Sequence, residues 1–353
     1  MKPGGKIISI QFLRAIASLL VLQVHLFPYF SSINKFFCGA IGVDIFFVIS
    51  GYIIAESVVR LPPAKPAATF LINRFSRVAP YYYLLTIIAA ILIFFFTGKL
   101  QAARLIESLL FVPDRRFDPV LYLGWSLIHE MFFYLFVSLM LFAFPNIKII
   151  TIGICFFCFI SLCSLFHSPA YIFAFLGATI NYTFLSGLFI FVFKDKLLPF
   201  FKNKAWLISA CLVLFATALF TTDFPLLINP NFTATGNVYK RDYIYIYNSI
   251  SYFPRIFVWG IPSAFFFVSF LAREKYFKKW QNSLMVLIGD ASYSLYLVQG
   301  FLVLMLVKIT FLNHPFFKLI LAVLTIYAAL KMFKVEAMTG NYWKKYLKQK
   351  FLM

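Results

Sequence analysis

The chain has 353 residues, of which 62% are hydrophobic and only 12% are charged. Soluble domains are roughly 45–50% apolar and about 25% charged, so this composition excludes an ordinary soluble protein and predicts a polytopic membrane protein. A net charge of +20 would also suit a nucleic-acid partner. The basic residues flank apolar runs, however, where they indicate orientation and contact with anionic lipid.

Ten apolar runs approach the length of about 20 residues that a helix needs to cross a bilayer. Their predicted centres are Leu19, Phe47, Ile88, Phe132, Phe156, Gly177, Val213, Phe265, Leu297 and Val323. Backbone in lipid must satisfy its own hydrogen bonds, and the runs are too long for barrel strands, so we predict an all-α bundle of about ten transmembrane helices. The first run is interrupted by Arg14 and lacks a cleavage site, so it is interpreted as a span and not as a signal peptide.

The distribution of the 32 Lys and Arg residues predicts the orientation of these spans. If the amino terminus is cytoplasmic, about two thirds of them fall on the cytoplasmic side, so both termini are expected there. We predict one membrane domain over residues 1–353, with two longer outer loops at 98–120 and 221–253. The second loop is rich in tyrosine and is either an acceptor-binding element or a solvated connector. No internal repeat is evident, which disfavours the architecture of many secondary transporters.

Arg14 and His25 lie in the first predicted span, where a charged group costs at least about 2.5–3.5 kcal/mol. They are eleven residues apart, which corresponds to three helical turns plus about 20°, so both side chains lie on one face about 16 Å apart along the axis. His25 falls in the outer half. A neutral imidazole titrates near neutral pH and suits a general base or proton shuttle.

Asp44 and Glu130 lie in the second and fourth spans, which both run inward. Their positions predict depths of about 10 Å and about 13 Å from the outer boundary, similar to that of His25. A bundle could bring the three groups around one cavity, which would explain why Glu130 is tolerated in an apolar run. They could also pair only to hold helices together. His129 is about 100° away from Glu130 on the helix and is interpreted as a packing or interfacial residue.

Arg74 and Arg77 precede the third span at a spacing of three residues, which places them on one helical face. Two neighbouring guanidinium groups suit phosphates, although a positive anchor for lipid headgroups has the same pattern.

The five cysteines do not form a disulfide or metal framework. Cys155, Cys158, Cys163 and Cys211 lie inside spans, where we expect buried thiols, and Cys38 has no evident partner. Neither a metal cluster nor a nucleotide-binding glycine loop is apparent in the sequence.

Five segments together resemble the bacterial acyltransferase-three family of integral membrane O-acyltransferases. They are QFLRAIASLLVLQVH, GVDIFFVISGYII, RFSRVAPYYYL, WSLIHEMFFYLF and GDASYSLYLVQG, in the family order from Gln11 to about Leu330. The chain is most similar to the members that modify exopolysaccharides. The resemblance implies a ten-helix enzyme of the bacterial inner membrane. It would move an acetyl group from cytoplasmic acetyl-CoA to a hydroxyl of a glycan or lipid-linked oligosaccharide.

The resemblance also implies roles for individual residues. Arg14 and His25 match the signature of the first span, and Arg74 with Arg77 matches the paired arginines proposed to hold the acyl-CoA. Asp44 and Glu130 match the acidic residues of their motifs. Asp290, Ser292 and Tyr293 fit the last motif, where they would line the donor entrance or cap a helix. Family members often close that motif with a histidine, but this chain has Gln299, which cannot carry a proton at ordinary pH.

These inferences predict a membrane O-acetyltransferase. Acetyl-CoA would place its phosphates near Arg74 and Arg77 and extend its pantetheine arm past Arg14. His25 would serve as general base or transient acyl carrier, assisted by Glu130 or Asp44. The alternatives are a proton-coupled transporter or flippase of lipid-linked sugars, and a catalytically silent partner of a polysaccharide synthase.

Overall fold

The computed structural model of the protein describes residues 5–26, 39, 41–99, 102–113, 119–165, 171–220, 256–308 and 314–352. Every regular element in these ranges is helical, which confirms the predicted all-α class. Within them, five helices are long and apolar enough to cross a membrane, or seven if each of two bent helix pairs is one span. The chain is therefore a polytopic helical membrane protein.

The helices are named in chain order. They are α1 (Ile8–Leu26), α2 (Ile41–Val59), α3 (Pro66–Thr97), α4 (Ala102–Leu109), α5 (Gly124–Ala143), α6 (Ile149–Leu165), α7 (Tyr171–Leu176), α8 (Tyr182–Val192), α9 (Lys194–Phe200), α10 (Lys204–Phe220), α11 (Ile261–Leu271), α12 (Glu274–Phe277), α13 (Leu284–Asp290), α14 (Ser292–Lys308) and α15 (Pro315–Phe351). A 3-10 turn, Thr179–Asn181, precedes α8, a π-helical turn, Ile256–Gly260, precedes α11, and a second 3-10 turn, Lys278–Trp280, follows α12.

The predicted span centres agree with these helices except at one position. The five long helices α1, α2, α3, α5 and α15 contain the first four centres and the last one. The bent pairs α9–α10 and α13–α14 contain Val213 and Leu297, and the shorter helices α6 and α11 contain Phe156 and Phe265. Gly177 instead lies at a break between α7 and α8, where a Cβ atom would sit 2.6 Å from the backbone nitrogen of Ser164.

The chain divides into two compact units. The first comprises residues 1–53 and 179–295, and the second comprises residues 54–178 and 296–353. Helices α2 and α14 each continue from one unit into the other along the chain. A single membrane domain over residues 1–353 stays a prediction.

Helices α2 and α8 of the first unit meet at two glycines. A Cβ at Gly51 would lie 2.0 Å from the carbonyl oxygen of Phe184, and one at Gly187 would lie 2.0 Å from that of Val48. The rings of Phe47 and Phe184 stack beside this contact with centroids 4.3 Å apart. Small residues allow helix backbones to approach closely, which is how helices associate in lipid without a hydrophobic driving force.

The second unit is organised around α3, which packs against α5 and α15. Helix α5 begins beside Tyr82. A Cβ at Gly124, its first residue, would lie only 2.6 Å from the Tyr82 hydroxyl. Nearer its other end, the Ser138 hydroxyl donates a hydrogen bond of 3.3 Å to the Ala67 carbonyl. The two helices are therefore antiparallel, with the start of α5 level with the middle of α3.

Residues 102–113, between α3 and α5, lie beside α3. The ring of Phe111 lies 5.1 Å from that of Tyr82, yet α3 continues fifteen residues beyond Tyr82, about 22 Å. That second half of α3 exposes Ile91, Phe95 and Phe96, as expected of a surface in contact with lipid. The Ser108 hydroxyl accepts a hydrogen bond of 2.9 Å from the Val120 backbone amide and closes the segment. Of the predicted outer loop 98–120, the described residues 102–113 thus lie beside α3, while loop 221–253 lies outside the described residues.

Candidate functional site

Arg14 and His25 lie on one uninterrupted helix. Helix α1 is continuous from Ile8 to Leu26, so the two side chains lie on one face of the helix, as the eleven-residue spacing predicts. Both residues are half-buried. The Nε of Arg14 donates a hydrogen bond of 3.0 Å to the hydroxyl of Ser292. Ser292 opens α14 directly after the 74° bend between α13 and α14. The last predicted motif therefore contributes a hydroxyl that orients Arg14.

The start of α1 is fixed by side chains and backbone from the same unit. The two carboxylate oxygens of Glu274 accept hydrogen bonds from the backbone amides of Ile8 and Ser9, at 3.0 and 2.8 Å. These amides have no partner within the helix, and a carboxylate also favours the positive end of the helix dipole. A Cβ at Gly289 would lie 2.0 Å from the Gln11 carbonyl, so the bend between α13 and α14 rests directly on α1.

Asp44 is completely buried and accepts a hydrogen bond of 3.4 Å from the Thr183 hydroxyl. Its height differs from the prediction. Gly42 packs on Ala17, whose carbonyl oxygen would be 2.4 Å from a Cβ at that glycine. His25 lies eight residues beyond Ala17, about 12 Å further along α1. Asp44 is thus level with the middle of α1, and the similar height predicted for Asp44 and His25 is not observed.

The two arginines of α3 have different surroundings. Arg74 is only 8% exposed, and its guanidinium carbon lies 5.7 Å from the centre of the Phe70 ring and 5.9 Å from that of Tyr134. Arg77, one turn further along α3, is exposed. An arginine that anchors a helix in lipid headgroups keeps its charge accessible to them, as Arg77 does and Arg74 does not. The burial of Arg74 therefore favours a binding site over a lipid anchor.

Glu130 belongs to the same group of side chains as Arg74. The Tyr134 hydroxyl donates a hydrogen bond of 2.5 Å to Oε1 of Glu130, and the Glu130 carboxylate also interacts electrostatically with Arg74. Glu56 contributes a second negative charge near that guanidinium. The level of Glu130 along α3 follows from the contact between Gly124 and Tyr82. Because α5 starts level with Tyr82, six residues of helix place Glu130 level with Arg74 and Arg77. Its depth in the membrane stays a prediction.

Two of the predicted motifs meet inside the second unit. The hydroxyls of Ser126 and Tyr296 share a buried hydrogen bond of 2.7 Å, which joins the start of α5 to α14. Gln299, one turn after Tyr296, is completely buried. A buried amide is held by hydrogen bonds. We infer that the position is structural or binding in this chain, since glutamine cannot relay a proton.

The remaining histidines and cysteines have structural or surface positions. His129 is completely buried and stacks on Phe175 with ring centres 4.2 Å apart, which confirms its interpretation as a packing residue. His314 caps α15, where its Nδ1 accepts a hydrogen bond of 3.4 Å from the Phe316 amide. Cys163 is buried and Cys155 is half-buried, but Cys158 and Cys211 are exposed on their helices, so the prediction of buried thiols was wrong for those two. His167 and Cys38 lie outside the described residues.

Sequence reasoning missed three residues, two beside Arg74 in the second unit and one at the start of α1 in the first. Tyr134 follows Glu130 by four positions, and that spacing predicts a contact on a helix, so the signal was present in the sequence. Lys344 of α15 interacts electrostatically with Arg74, although the two residues are distant along the chain. Glu274 caps α1 from a similarly remote position. No local pattern predicts the last two contacts.

Together, the fold and these charges define a polytopic membrane protein with a buried arginine, Arg74, and an exposed one, Arg77, on one turn of α3. Residues 7–330 match the acyltransferase-three family, described as "Acyltransferase domain". The chain belongs to this family and is a membrane acyltransferase, as the sequence motifs predicted. This membership favours an acyltransferase over the transporter that the sequence left as an alternative.

One relative supports a comparison over a shorter stretch. The chain is 34% identical over 109 residues to the exopolysaccharide production protein ExoZ of Rhizobium meliloti (strain 1021). That stretch covers 29% of this chain and 34% of the relative, so the match spans about a third of the relative's length. No solved structure matches the chain.

Proposed function

We propose that this protein transfers an acetyl group from cytoplasmic acetyl-CoA to a hydroxyl of a cell-surface or exported polysaccharide, or of its lipid-linked precursor. The proposed location is the bacterial inner membrane. Membership of the acyltransferase family supports the reaction class. The name of the relative, a protein of exopolysaccharide production, supports a glycan acceptor.

The observation that carries the proposal is the pairing of buried Arg74 with exposed Arg77 on one turn of α3. Coenzyme A carries several phosphates, and guanidinium groups bind phosphate oxygens through two parallel hydrogen bonds. Packing between Phe70 and Tyr134 limits the conformations of the Arg74 side chain. A charge held in position by its surroundings loses less conformational entropy when it binds an anion.

We assign the chemical step to His25. The oxygen of the acceptor hydroxyl attacks the carbonyl carbon of the thioester while the imidazole takes the hydroxyl proton. The carbon–sulfur bond then breaks, and the imidazolium returns the proton to the departing thiolate. Arg14 would guide the pantetheine arm along the shared face of α1. A transient acyl group on His25 is the variant in which this histidine is itself the nucleophile.

The two carboxylates have distinct proposed roles. Glu130 accepts a hydrogen bond from Tyr134 beside Arg74, so we assign it to orienting the ring and balancing the charge of the donor site. Asp44 holds Thr183 within the first unit and would fix the position of α2 relative to α8. Both act on the reaction through other groups.

Mass analysis of polysaccharide from matched strains tests the proposal. A strain with the wild-type protein should carry acetyl groups that are absent from the deletion strain and from a strain with His25→Ala at equal protein level. In parallel, acetyl-CoA at 100 times its Kd should stabilise the purified protein by about 2.7 kcal/mol. Identical glycans in all three strains, or a melting temperature unmoved by acetyl-CoA, would refute the assignment.

A further inference from the structure

Helix α15 continues well beyond the part of the chain that matches the family. The match ends at residue 330, whereas α15 runs without a break to Phe351. We call residues 331–351 the basic extension. It is about 30 Å long, and its six lysines are Lys331, Lys334, Lys344, Lys345, Lys348 and Lys350.

The basic extension packs antiparallel to the first turns of α3. A Cβ at Gly340 would lie 3.0 Å from the carbonyl oxygen of Ser76, so the two backbones nearly touch there. At the far end, the Lys65 side chain donates hydrogen bonds of 3.4 Å to the carbonyls of Phe351 and Leu352. The extension is thus held along the part of α3 that carries Arg74 and Arg77.

Lys344 brings a third positive charge to these arginines. It follows Gly340 by four residues, which places it within about 40° of the helix face that contacts α3. Its ammonium group interacts electrostatically with Arg74, and Arg74 interacts in the same way with Arg77. Like charges repel, and the carboxylates of Glu130 and Glu56 offset two of these three positive charges, so the group still favours a bound polyanion.

The basic extension also has features of a helix that contacts lipid headgroups. Tyr342 and Trp343 are exposed beside the lysines, as in many helices at a membrane surface. Lys345 fits that role, because it lies about 140° around the helix from Gly340. Lys344 is exposed as well, but it lies on the side of the helix nearer α3 and interacts electrostatically with Arg74. The two lysines therefore differ in the helix face that they occupy and not in burial.

We infer that the basic extension is part of the donor site and that Lys344 binds a phosphate of the acyl-CoA together with Arg74 and Arg77. This inference rests on the proposed function. It adds to the donor site an element that lies outside the family match, and it predicts that only one of the two adjacent lysines affects donor affinity.

The test measures acetyl-CoA affinity of the full chain in nanodiscs of neutral phosphatidylcholine. Lys344→Ala should weaken binding about tenfold, the usual order for one charged hydrogen bond, and Lys344→Arg should retain most of the affinity. Lys345→Ala is the matched control and should stay within about twofold of wild type. Equal effects of the two alanine variants, or no effect of Lys344→Ala, would overturn the inference while leaving the proposed function intact.

The wild-type titration separates the two hypotheses. If wild-type protein does not bind acetyl-CoA, the proposed function and the inference fall together. A second arm uses vesicles of anionic phosphatidylglycerol without acetyl-CoA. If Lys344→Ala reduces attachment of the protein to these vesicles and leaves acetyl-CoA affinity unchanged, Lys344 is a lipid anchor and the inference is rejected. Melting temperatures of all variants identify any loss of folding.

Discussion

The guanidinium group of Arg74 lies over the ring of Tyr134 at 5.9 Å, and the hydroxyl of that ring is bound to Glu130. A cation on an aromatic face is attracted by the ring's electron density. This single ring therefore connects the arginines proposed to bind the donor with the acidic residue of the motif in α5.

Arg74 and Arg77 should respond differently to removal. Arg77→Ala removes an exposed charge and should weaken acetyl-CoA binding about tenfold or more without changing the melting temperature, since a hydrogen bond to a charged group contributes about 1.5–3 kcal/mol. Arg74→Ala should weaken binding and also lower the melting temperature, because the packing of Phe70 and Tyr134 is lost. Titration and thermal unfolding in the same detergent measure both effects. Unchanged affinity in both variants would remove the arginines from the donor site.

Glu130→Gln should separate binding from turnover. The neutral amide preserves the shape of the side chain but removes a negative charge beside Arg74, so acetyl-CoA affinity should be retained or increased. Acetyl transfer should fall, because the amide holds the Tyr134 hydroxyl less strongly than a carboxylate does. Binding and single-turnover assays on the same preparation distinguish the two quantities. A large loss of affinity with normal turnover would contradict the assigned role.

His25→Ala should reduce acetyl transfer at least about a hundredfold, the lower end of general acid–base contributions. The abundance of this variant should remain normal because His25 is only half-buried in the last turn of α1. His129→Ala provides the contrast. His129 is fully buried against Phe175, so its replacement should lower stability and abundance. Normal transfer by His25→Ala would refute its assignment as base or acyl carrier.

Gly51→Val and Gly187→Val should each destabilise the first unit by at least about 1–3 kcal/mol, the usual cost of overpacking. Each new side chain would collide with a carbonyl oxygen of the facing helix. The double variant should cost less than the sum, because both residues lie at one contact. Gly98→Ala is the comparison: its φ of 66° is strained for alanine, but no atom lies within 4 Å of the added carbon. Equal melting temperatures for all variants would show that α2 and α8 are not in backbone contact.

Apolar run length predicted where most helices lie, because the bilayer sets that length whatever the packing. It did not predict where each helix begins relative to its neighbours. The segment before α5 contains Arg104 and Glu107 and suggests a solvated loop, but the Ser108 hydroxyl binds the Val120 amide and the Phe111 ring packs beside Tyr82. Helix α5 therefore starts level with the middle of α3, which a surface loop between the two helices would not predict.

The residues of the arginine group show the same limit of sequence reasoning. The spacing of Arg74 and Arg77 indicates a shared face through local helix geometry alone. The approach of Lys344 depends on the antiparallel packing of α15 against α3, which no local spacing encodes. Gly340 lies at that contact. A single glycine does not predict it, however, because glycine in a helical pattern also occurs near helix ends that contact no other helix.

The cap on α1 also has a mechanical consequence. Glu274 holds the amides of Ile8 and Ser9 at one end of a stiff helix, and the other end carries His25, about 25 Å away. A helix that is held at its first turn cannot rotate about its axis, so the residues of its last turn keep a fixed direction. The face of the unit toward which α1 directs His25 is thereby held by a carboxylate at the opposite end of the helix, so a substitution of Glu274 would be felt at His25 without touching it.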